Sequence, residues 1–194
     1  MKRYAMATAS GHASSRWRNK DMSWEEFAAW QREPRRTDET AAEYAAMPKA
    51  EQGRAKDGPC YVAGRLKGGR RRKECVACRS MVVLDADHSD ADLWGDYLML
   101  VGARGLMYPT HSSTEARPRH RLVVALAREV SAEEYVPLAL KIAETLGFAR
   151  FDPTTFQPER LMYAPSRSAD APFELLEADG DELDPDEWLA CYPD

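Results

Sequence analysis

The chain has no long apolar run. No uninterrupted hydrophobic stretch approaches the roughly 20 residues that a membrane-spanning helix requires, and the segment Met1 to Ser10 contains no apolar core like that of a secretory signal peptide. We therefore expect a soluble, cytoplasmic protein without a membrane partner. The 194 residues, of which 44% are hydrophobic and 30% charged, have the composition of a globular domain of ordinary size.

Cysteine is also scarce. The four cysteines, Cys60, Cys75, Cys78 and Cys191, do not have the spacing of a secreted disulfide framework, so we expect free thiols. Cys75 and Cys78 have zinc-like spacing, and Cys60 with His88 could complete four ligands, but the second close pair of a zinc ribbon is missing. Zinc is therefore not the cofactor that we expect.

Basic residues are absent from the last part of the chain. Residues 170–194 contain ten Asp or Glu and no Lys or Arg, and this tail carries the acidity behind the net charge of -5. Between Arg54 and Arg79, in contrast, nine basic residues stand against two acids, a surplus suited to binding phosphates. A glycine-rich loop in this region holds five residues that we predict to contact nucleic acid or phosphate, namely Lys67, Arg70, Arg71, Arg72 and Lys73.

Hydrophobic patterning predicts an α+β domain. Apolar runs predict four core strands, over 80–85, 105–108, 121–126 and 160–164. Two helices are predicted between them, one near 90–101 and one that begins at a capping box on Ser131 and ends at Gly147. The order β-α-β-β-α-β matches a ferredoxin-like or RRM-like split βαβ sheet, in which helices cover one face and the other face serves as a platform.

The chain divides into three predicted parts. Residues 1–55 form an N-terminal subdomain that looks irregular up to about Asp21 and helical from the capping box of Ser23 onwards. Residues 56–170 form the catalytic core. Residues 171–194 form an acidic tail with a short helix after Pro185.

Two carboxylates end the first core strand. Asp85 and Asp87 are two residues apart, so on a strand both point to the same face. Carboxylates held this close repel each other unless a cation lies between them, and hard oxygen ligands suit Mg²⁺ or Mn²⁺. We therefore predict a site for two such ions, as nucleotidyl transfer requires. Phosphatases, nucleases and plain turns also use strand-end acids.

Other polar side chains follow the next strands. His111 lies among four hydroxyl residues, including Ser113, which could bind a phosphate or a sugar. Arg119 and Arg121 share one face of the following strand, and arginine is suited to bidentate phosphate contacts. The alternative is an exposed loop histidine beside a solvated strand edge.

A third carboxylate, Asp152, precedes Pro153 just before the last predicted strand, where it could instead form a simple Asx-turn. Arg160 begins that strand and could add a phosphate contact.

Together these motifs resemble the archaeo-eukaryotic primase, or primase-polymerase, domain of phage and mobile-element replication proteins, which often precedes a helicase of the virulence-associated E type. The segments that carry the resemblance are Leu84–Asp87, Tyr108–Thr114, Pro118–Leu122, Phe151–Thr155 and Arg160–Ser166. With weaker matches upstream, the resemblance covers nearly the whole chain.

The resemblance implies a sheet of the archaeo-eukaryotic primase type with an N-terminal α/β subdomain, and the activity of a metal-dependent DNA primase or polymerase. It implies that Asp85 and Asp87 bind the metal ions and that Asp152, or else Asp170, is the third acid. His111 would contact the phosphate of the incoming nucleotide. The triphosphate would be held by His111, Ser113, Arg119, Arg121 and Arg160. The implied partners are nucleoside triphosphates, a single-stranded DNA template and a helicase domain or protein. The sequence has no Walker loop of a helicase, so we expect a lone domain or one excised from a larger protein.

Two other functions stay open. A rolling-circle initiator or relaxase would use a similar sheet, a metal and a tyrosine such as Tyr135, but it needs two histidines flanking one apolar residue, and none of the four histidines is paired in this way. A catalytically weak module that only binds nucleic acid is the second alternative. The intact Asp85, Asp87 and His111 argue against it.

Overall fold

A computed structural model describes residues 2–190, so Cys191 and the end of the acidic tail lie outside the described residues. The strands are β1 (Tyr4–Ala9), β2 (Arg18–Met22), β3 (Arg35–Arg36), β4 (Cys60–Val62), β5 (Gly64–Leu66), β6 (Val76–Ala86), β7 (Gly105–Pro109), β8 (His120–Val130), β9 (Met162–Tyr163), β10 (Ser166–Arg167) and β11 (Leu176–Ala178). The α-helices are α1 (Trp24–Arg32), α2 (Ala41–Ala46), α3 (Lys49–Lys56), α4 (Leu93–Leu100), α5 (Ala132–Thr145) and α6 (Pro185–Leu189).

The centre of the fold is a five-stranded antiparallel sheet with the order β11-β7-β8-β6-β5. Three of the predicted core strands are β6, β7 and β8, and they lie in the order that a split βαβ sheet requires. Along β6, Val82 and Leu84 pack with Leu138 of α5, whereas Met81 and Val83 point to the opposite face. Because both faces are covered, the strand has a continuous apolar run rather than an alternating one.

The second face of the central sheet is covered by a four-stranded sheet with the order β2-β1-β4-β9 and by α1. The prediction that residues up to Asp21 are irregular was wrong, because they contain β1 and β2. The five exposed or half-exposed residues of β2 are all polar or charged except Met22, so the strand carries no local apolar pattern that could reveal it.

The fourth predicted core strand differs from the expectation. Only Met162 and Tyr163 are extended there, and they pair with β4 in the second sheet instead of joining β6. The place beside β6 is taken by β5, where a Cβ atom on Gly64 would lie 2.0 Å from the carbonyl oxygen of Cys78. Glycine therefore permits the close approach of β5, and the α+β class with its antiparallel core sheet is confirmed.

The predicted helix starts are confirmed by their caps. The Ser131 hydroxyl accepts a hydrogen bond from the Glu134 amide, and the Glu134 carboxylate accepts one from the Ser131 amide. Ser23 caps α1 in the same way, and α6 begins at Pro185 as expected. The division at residues 55 and 170 stays a prediction. Within residues 2–190, no helix has both the length and the apolar character needed to cross a bilayer.

Candidate active site

A cavity of about 400 Å³ lies at the ends of β6, β7 and β8, on the side of the central sheet that faces the second sheet. Eight of the side chains predicted from the sequence line this cavity, namely Arg71, Asp85, Asp87, His111, Arg119, Arg121, Asp152 and Arg160. They come from regions up to 89 positions apart in the chain, since Arg71 and Arg160 are both included. The fold therefore brings together most of the polar side chains that the motifs contain.

Asp85 forms a buried ion pair across two strands. Register places Asp85 of β6 opposite Arg121 of β8, and the Arg121 Nε atom donates to the Asp85 Oδ1 atom at 2.7 Å. Arg121 also donates to the carbonyl oxygen of Tyr163, and its side chain is only 8% exposed. Burial alone would lower the pKa of Arg121, but the charge of Asp85, electrostatic interactions with Tyr108 and Tyr61, and the hydrogen bond to Asp85 together outweigh burial and raise it. Arg121 thus stays a fixed cation beside Asp85.

Asp87 forms a second, more exposed ion pair. The Arg119 Nη1 atom lies 3.2 Å from the Asp87 Oδ2 atom, with 28% of the arginine side chain and 36% of the aspartate side chain exposed. As the period-two spacing predicts, Asp85 and Asp87 both face the cavity. His120 points away from it and hydrogen bonds to Ser89 through Nδ1 at 2.8 Å.

Asp152 is held close to the end of β6. Its amide donates to the carbonyl oxygen of Asp85 at 2.9 Å, and its carboxylate caps a short 3₁₀ helix by accepting from the amide and the hydroxyl of Thr154. Arg160 approaches the Asp152 Oδ2 atom to 3.8 Å. Asp170, by contrast, accepts from the Ala41 amide and does not line the cavity. Of the two candidates for the third acid, Asp152 is therefore the one beside the Asp85 and Asp87 pair.

His111 is buried in the cavity wall, with its side chain 4% exposed. Its Nε2 atom lies 3.2 Å from Glu39 and its Nδ1 atom 2.9 Å from the Ser166 hydroxyl. Burial lowers the pKa of His111, although the hydrogen bond and the charge of Glu39 act in the opposite direction. The ring of Tyr44 packs edge-on against the imidazole at 4.5 Å.

Some predicted contacts lie elsewhere. Within the described chain, Lys67, Arg70, Arg72 and Lys73 do not line the cavity, whereas Arg71 does. The loop is attached to the residue just before β2 by a hydrogen bond from the Trp17 amide to the carbonyl oxygen of Gly69. Ser113 also lies outside the cavity lining, and its hydroxyl accepts a hydrogen bond from the Arg119 amide at 3.0 Å, which stabilises the turn before β8.

Sequence reasoning missed several residues of the site. His12 and Lys56 line the cavity and add basic groups from the N-terminal part of the chain. Ser166 lines it as well, and Glu39 reaches it through His111. Lys56 belongs to the basic run noted in the sequence, and Ser166 ends the resemblance segment Arg160–Ser166 without having been singled out there. His12 and Glu39 are isolated polar residues with no motif around them, so no local signal could have found them.

The chemistry of the donor set fits Mg²⁺ or Mn²⁺. Asp85, Asp87 and Asp152 offer hard carboxylate oxygens to one cavity. Arg121 engages Oδ1 of Asp85 and Arg119 engages Oδ2 of Asp87, and in each pair the second carboxylate oxygen takes no part in that ion pair. In the described range 2–190, no cluster of three or more His, Cys, Asp or Glu side chains is already arranged as a metal-binding group.

The tyrosine that a relaxase mechanism would use is not accessible. Tyr135 is 0% exposed, and its hydroxyl lies 3.4 Å from the carbonyl oxygen of Val83. The Arg79 guanidinium stacks over its ring at 4.0 Å. Tyr135 is therefore a core residue of α5.

Comparison with solved structures places this fold beside a known class of domain. The structure is similar to the AEP domain of the primase-polymerase (PrimPol) of cyanophage S-2L, with a TM-score of 0.51, 12% sequence identity, and coverage of 98% of this chain and 90% of that chain. The chain belongs to the VapE N-terminal domain family, whose model matches residues 2–194. A search of curated proteins found no match. The resemblance to a primase-polymerase domain of VapE-type proteins is confirmed.

Proposed function

We propose that this domain is a metal-dependent nucleotidyltransferase that makes or extends primers on single-stranded DNA in phage or mobile-element replication. The observation that carries the proposal is one cavity lined by Asp85, Asp87 and Asp152 together with arginines of several elements, namely Arg71, Arg119, Arg121 and Arg160. Carboxylates beside an array of basic groups suit a ligand that brings both metal ions and phosphates. A helicase domain or protein is the proposed partner.

In this proposal Asp85, Asp87 and Asp152 hold Mg²⁺ or Mn²⁺. When bound, the ions would lower the barrier to attack of a hydroxyl on a phosphate and neutralise the charge of the triphosphate. The protein itself positions the carboxylates, because β6 directs two of them to one face and the Asp152 amide is bonded to the Asp85 carbonyl. No loop rearrangement is needed to bring the three acids to one cavity.

The arginines of the site have different roles. Arg121 is buried and bonded to both Asp85 and Tyr163, so we assign it to orienting Asp85. Arg119 is more exposed and makes one ion pair, so it is able to turn from Asp87 to a phosphate. Arg160, 37% exposed and 3.8 Å from Asp152, is placed to do the same at the other side of the cavity.

Primer extension tests the proposal. A labelled primer on a single-stranded template is incubated with the protein, nucleotides and Mg²⁺ or Mn²⁺, and the intact chain is compared with the Asp85→Asn, Asp87→Asn double variant. The matched control is Asp179→Asn, Asp181→Asn, which changes two exposed aspartates with the same spacing outside the cavity. We expect extension by the intact chain and the control and none by the Asp85, Asp87 variant, whose folding is checked by circular dichroism. Full extension by that variant would refute the proposal.

The ion pairs of the site favour one second candidate. Asp85 and Asp87 are each engaged by an arginine, an arrangement that a domain which binds nucleic acid without catalysis could also have. Binding of single-stranded DNA by the intact chain, without extension under either metal, would favour this binding module.

A further inference from the structure

Both ring nitrogens of His111 are occupied by the protein itself. Nε2 is bonded to Glu39 at 3.2 Å and Nδ1 to Ser166 at 2.9 Å, and the side chain is almost completely buried. Neither nitrogen is left for a direct hydrogen bond to a ligand in the cavity. Ser166, at the end of this chain of hydrogen bonds, does line the cavity.

The three residues come from separate parts of the chain. Glu39 precedes α2, His111 follows β7, and Ser166 begins β10. The parallel pairing of Ser166 with Arg35 brings the segment after β3 beside the histidine. Arg167, the next residue, donates to the carbonyl oxygens of the loop that contains His111 and holds that loop in place.

Glu39 determines the direction of the hydrogen bonds. Its carboxylate accepts from the Thr37 hydroxyl at 2.6 Å. Burial would raise the pKa of Glu39, but hydrogen bonds from Thr37, from its own backbone and from His111 act together against burial, so that the pKa is lowered and Glu39 is an anion. An anion can only accept, so Nε2 of His111 carries the proton it donates. In the neutral imidazole Nδ1 is then an acceptor, and the Ser166 hydroxyl must donate to it.

The charged surroundings of His111 support the neutral form. Glu39 is the acidic group that faces it, while Arg35 and Arg167 are the cations whose charges lower its pKa further, and the ring of Tyr44 covers one side. With its proton committed to His111, the Ser166 hydroxyl has only lone pairs left for a ligand in the cavity that this residue lines. Phosphate oxygens are acceptors too, so they gain nothing from this hydroxyl.

We propose that Ser166 accepts a hydrogen bond from a sugar hydroxyl of the bound nucleotide, and that Glu39 is a positioning residue that sets this polarity through His111. The inference rests on the proposed function and names a contact within it. It assigns recognition of the sugar, rather than of the phosphates, to this part of the cavity wall.

Binding measurements on the full chain separate the two kinds of contact. Affinities are measured by calorimetry for a nucleoside triphosphate, its 2′-deoxy and 2′,3′-dideoxy forms, and inorganic triphosphate. We expect Ser166→Ala to weaken binding of a nucleotide with the recognised hydroxyl by about tenfold, as for loss of one hydrogen bond, and to leave inorganic triphosphate unchanged. The deoxy and dideoxy forms show whether the 2′ or the 3′ hydroxyl is the donor.

The matched control is Ser89→Ala. Ser89 makes the same kind of hydrogen bond to Nδ1 of His120 at 2.8 Å but does not line the cavity, so its variant should bind all ligands like the intact chain. Glu39→Gln tests the positioning role, because an amide can donate to Nε2 and permit the other tautomer. The ring ¹⁵N shifts of His111 should then change, and the advantage of the nucleotide over its dideoxy form should shrink.

The outcomes are distinct. Equal weakening of nucleotide and inorganic triphosphate by Ser166→Ala would overturn this inference and leave the proposed function standing. Unchanged nucleotide binding by the Ser166→Ala variant, with its thermal unfolding intact, would overturn it as well. Failure of the intact chain to bind any nucleotide would overturn the inference and the proposed function together.

Discussion

Removal of the Asp85 carboxylate should destabilise the domain much more than removal of the Asp87 carboxylate. Asp85 is paired with Arg121 of β8, and Asp87 is paired with Arg119, which precedes β8. The two ion pairs differ in burial. The Asp85 and Arg121 side chains are 14% and 8% exposed, whereas Asp87 and Arg119 are 36% and 28% exposed. Without Asp85, the buried Arg121 would lose its carboxylate partner and keep the Tyr163 carbonyl and the ring of Tyr108, which are both uncharged.

The expected cost follows from this difference in burial. Breaking a buried ion pair by removing one partner typically costs about 3–5 kcal/mol, and an asparagine retains one acceptor, so we expect about 2–4 kcal/mol for Asp85→Asn. A partly exposed pair contributes up to about 1 kcal/mol, which is the limit that we expect for Asp87→Asn. At about 2–4 °C per kcal/mol for a domain of this size, Asp85→Asn should lower the melting temperature by roughly 4–16 °C.

Urea unfolding followed by circular dichroism measures both variants. Arg121→Met added to Asp85→Asn should recover part of the lost stability, because it removes the unpaired buried charge. Equal free energies of unfolding for Asp85→Asn and Asp87→Asn, or purely additive effects of Asp85→Asn and Arg121→Met, would refute the argument.

Two further predictions concern packing and pH. Gly64→Ala should lower the free energy of unfolding by several kcal/mol or prevent folding, since its Cβ would lie 2.0 Å from the Cys78 carbonyl oxygen. Gly53→Ala is the control: it lies in α3 with no atom within 4 Å of the added Cβ, so in the same urea assay it should be neutral or stabilising. Burial lowers the pKa of His120, so the unfolded chain binds more protons below about pH 6.5 and stability falls as the pH drops below this value. His120→Asn should reduce this loss of stability between pH 7.5 and pH 5.5. If the free energy of unfolding of the variant depends on pH as that of the intact chain does, the loss does not come from His120.

Local sequence signals were sufficient for part of the site. The period-two spacing of Asp85 and Asp87 at the end of an apolar run predicts two carboxylates on one face, and both line the cavity. The capping box of Ser131 likewise predicts the start of α5. These features depend on residues a few positions apart, whose relative geometry the backbone of a strand or helix determines.

The remaining features depend on pairings between distant segments. Met162 and Tyr163 carry no signal that distinguishes pairing with β4 from pairing with β6, and β5 fills the place beside β6 because Gly64 permits close approach. The register of β6 and β8 places Arg121 opposite Asp85, and the amino-acid composition of the two strands does not predict this pairing.

The sequence by itself determined the α+β class, the family resemblance and the acidic pair that the site is built around. Only the tertiary structure decided that Glu39 and Ser166 enclose His111, and that most of the basic loop lies outside the cavity. Glu39 and Ser166 are 72 and 55 positions from His111. A contact over such a separation arises from the packing of whole sheets and leaves no local pattern in the chain.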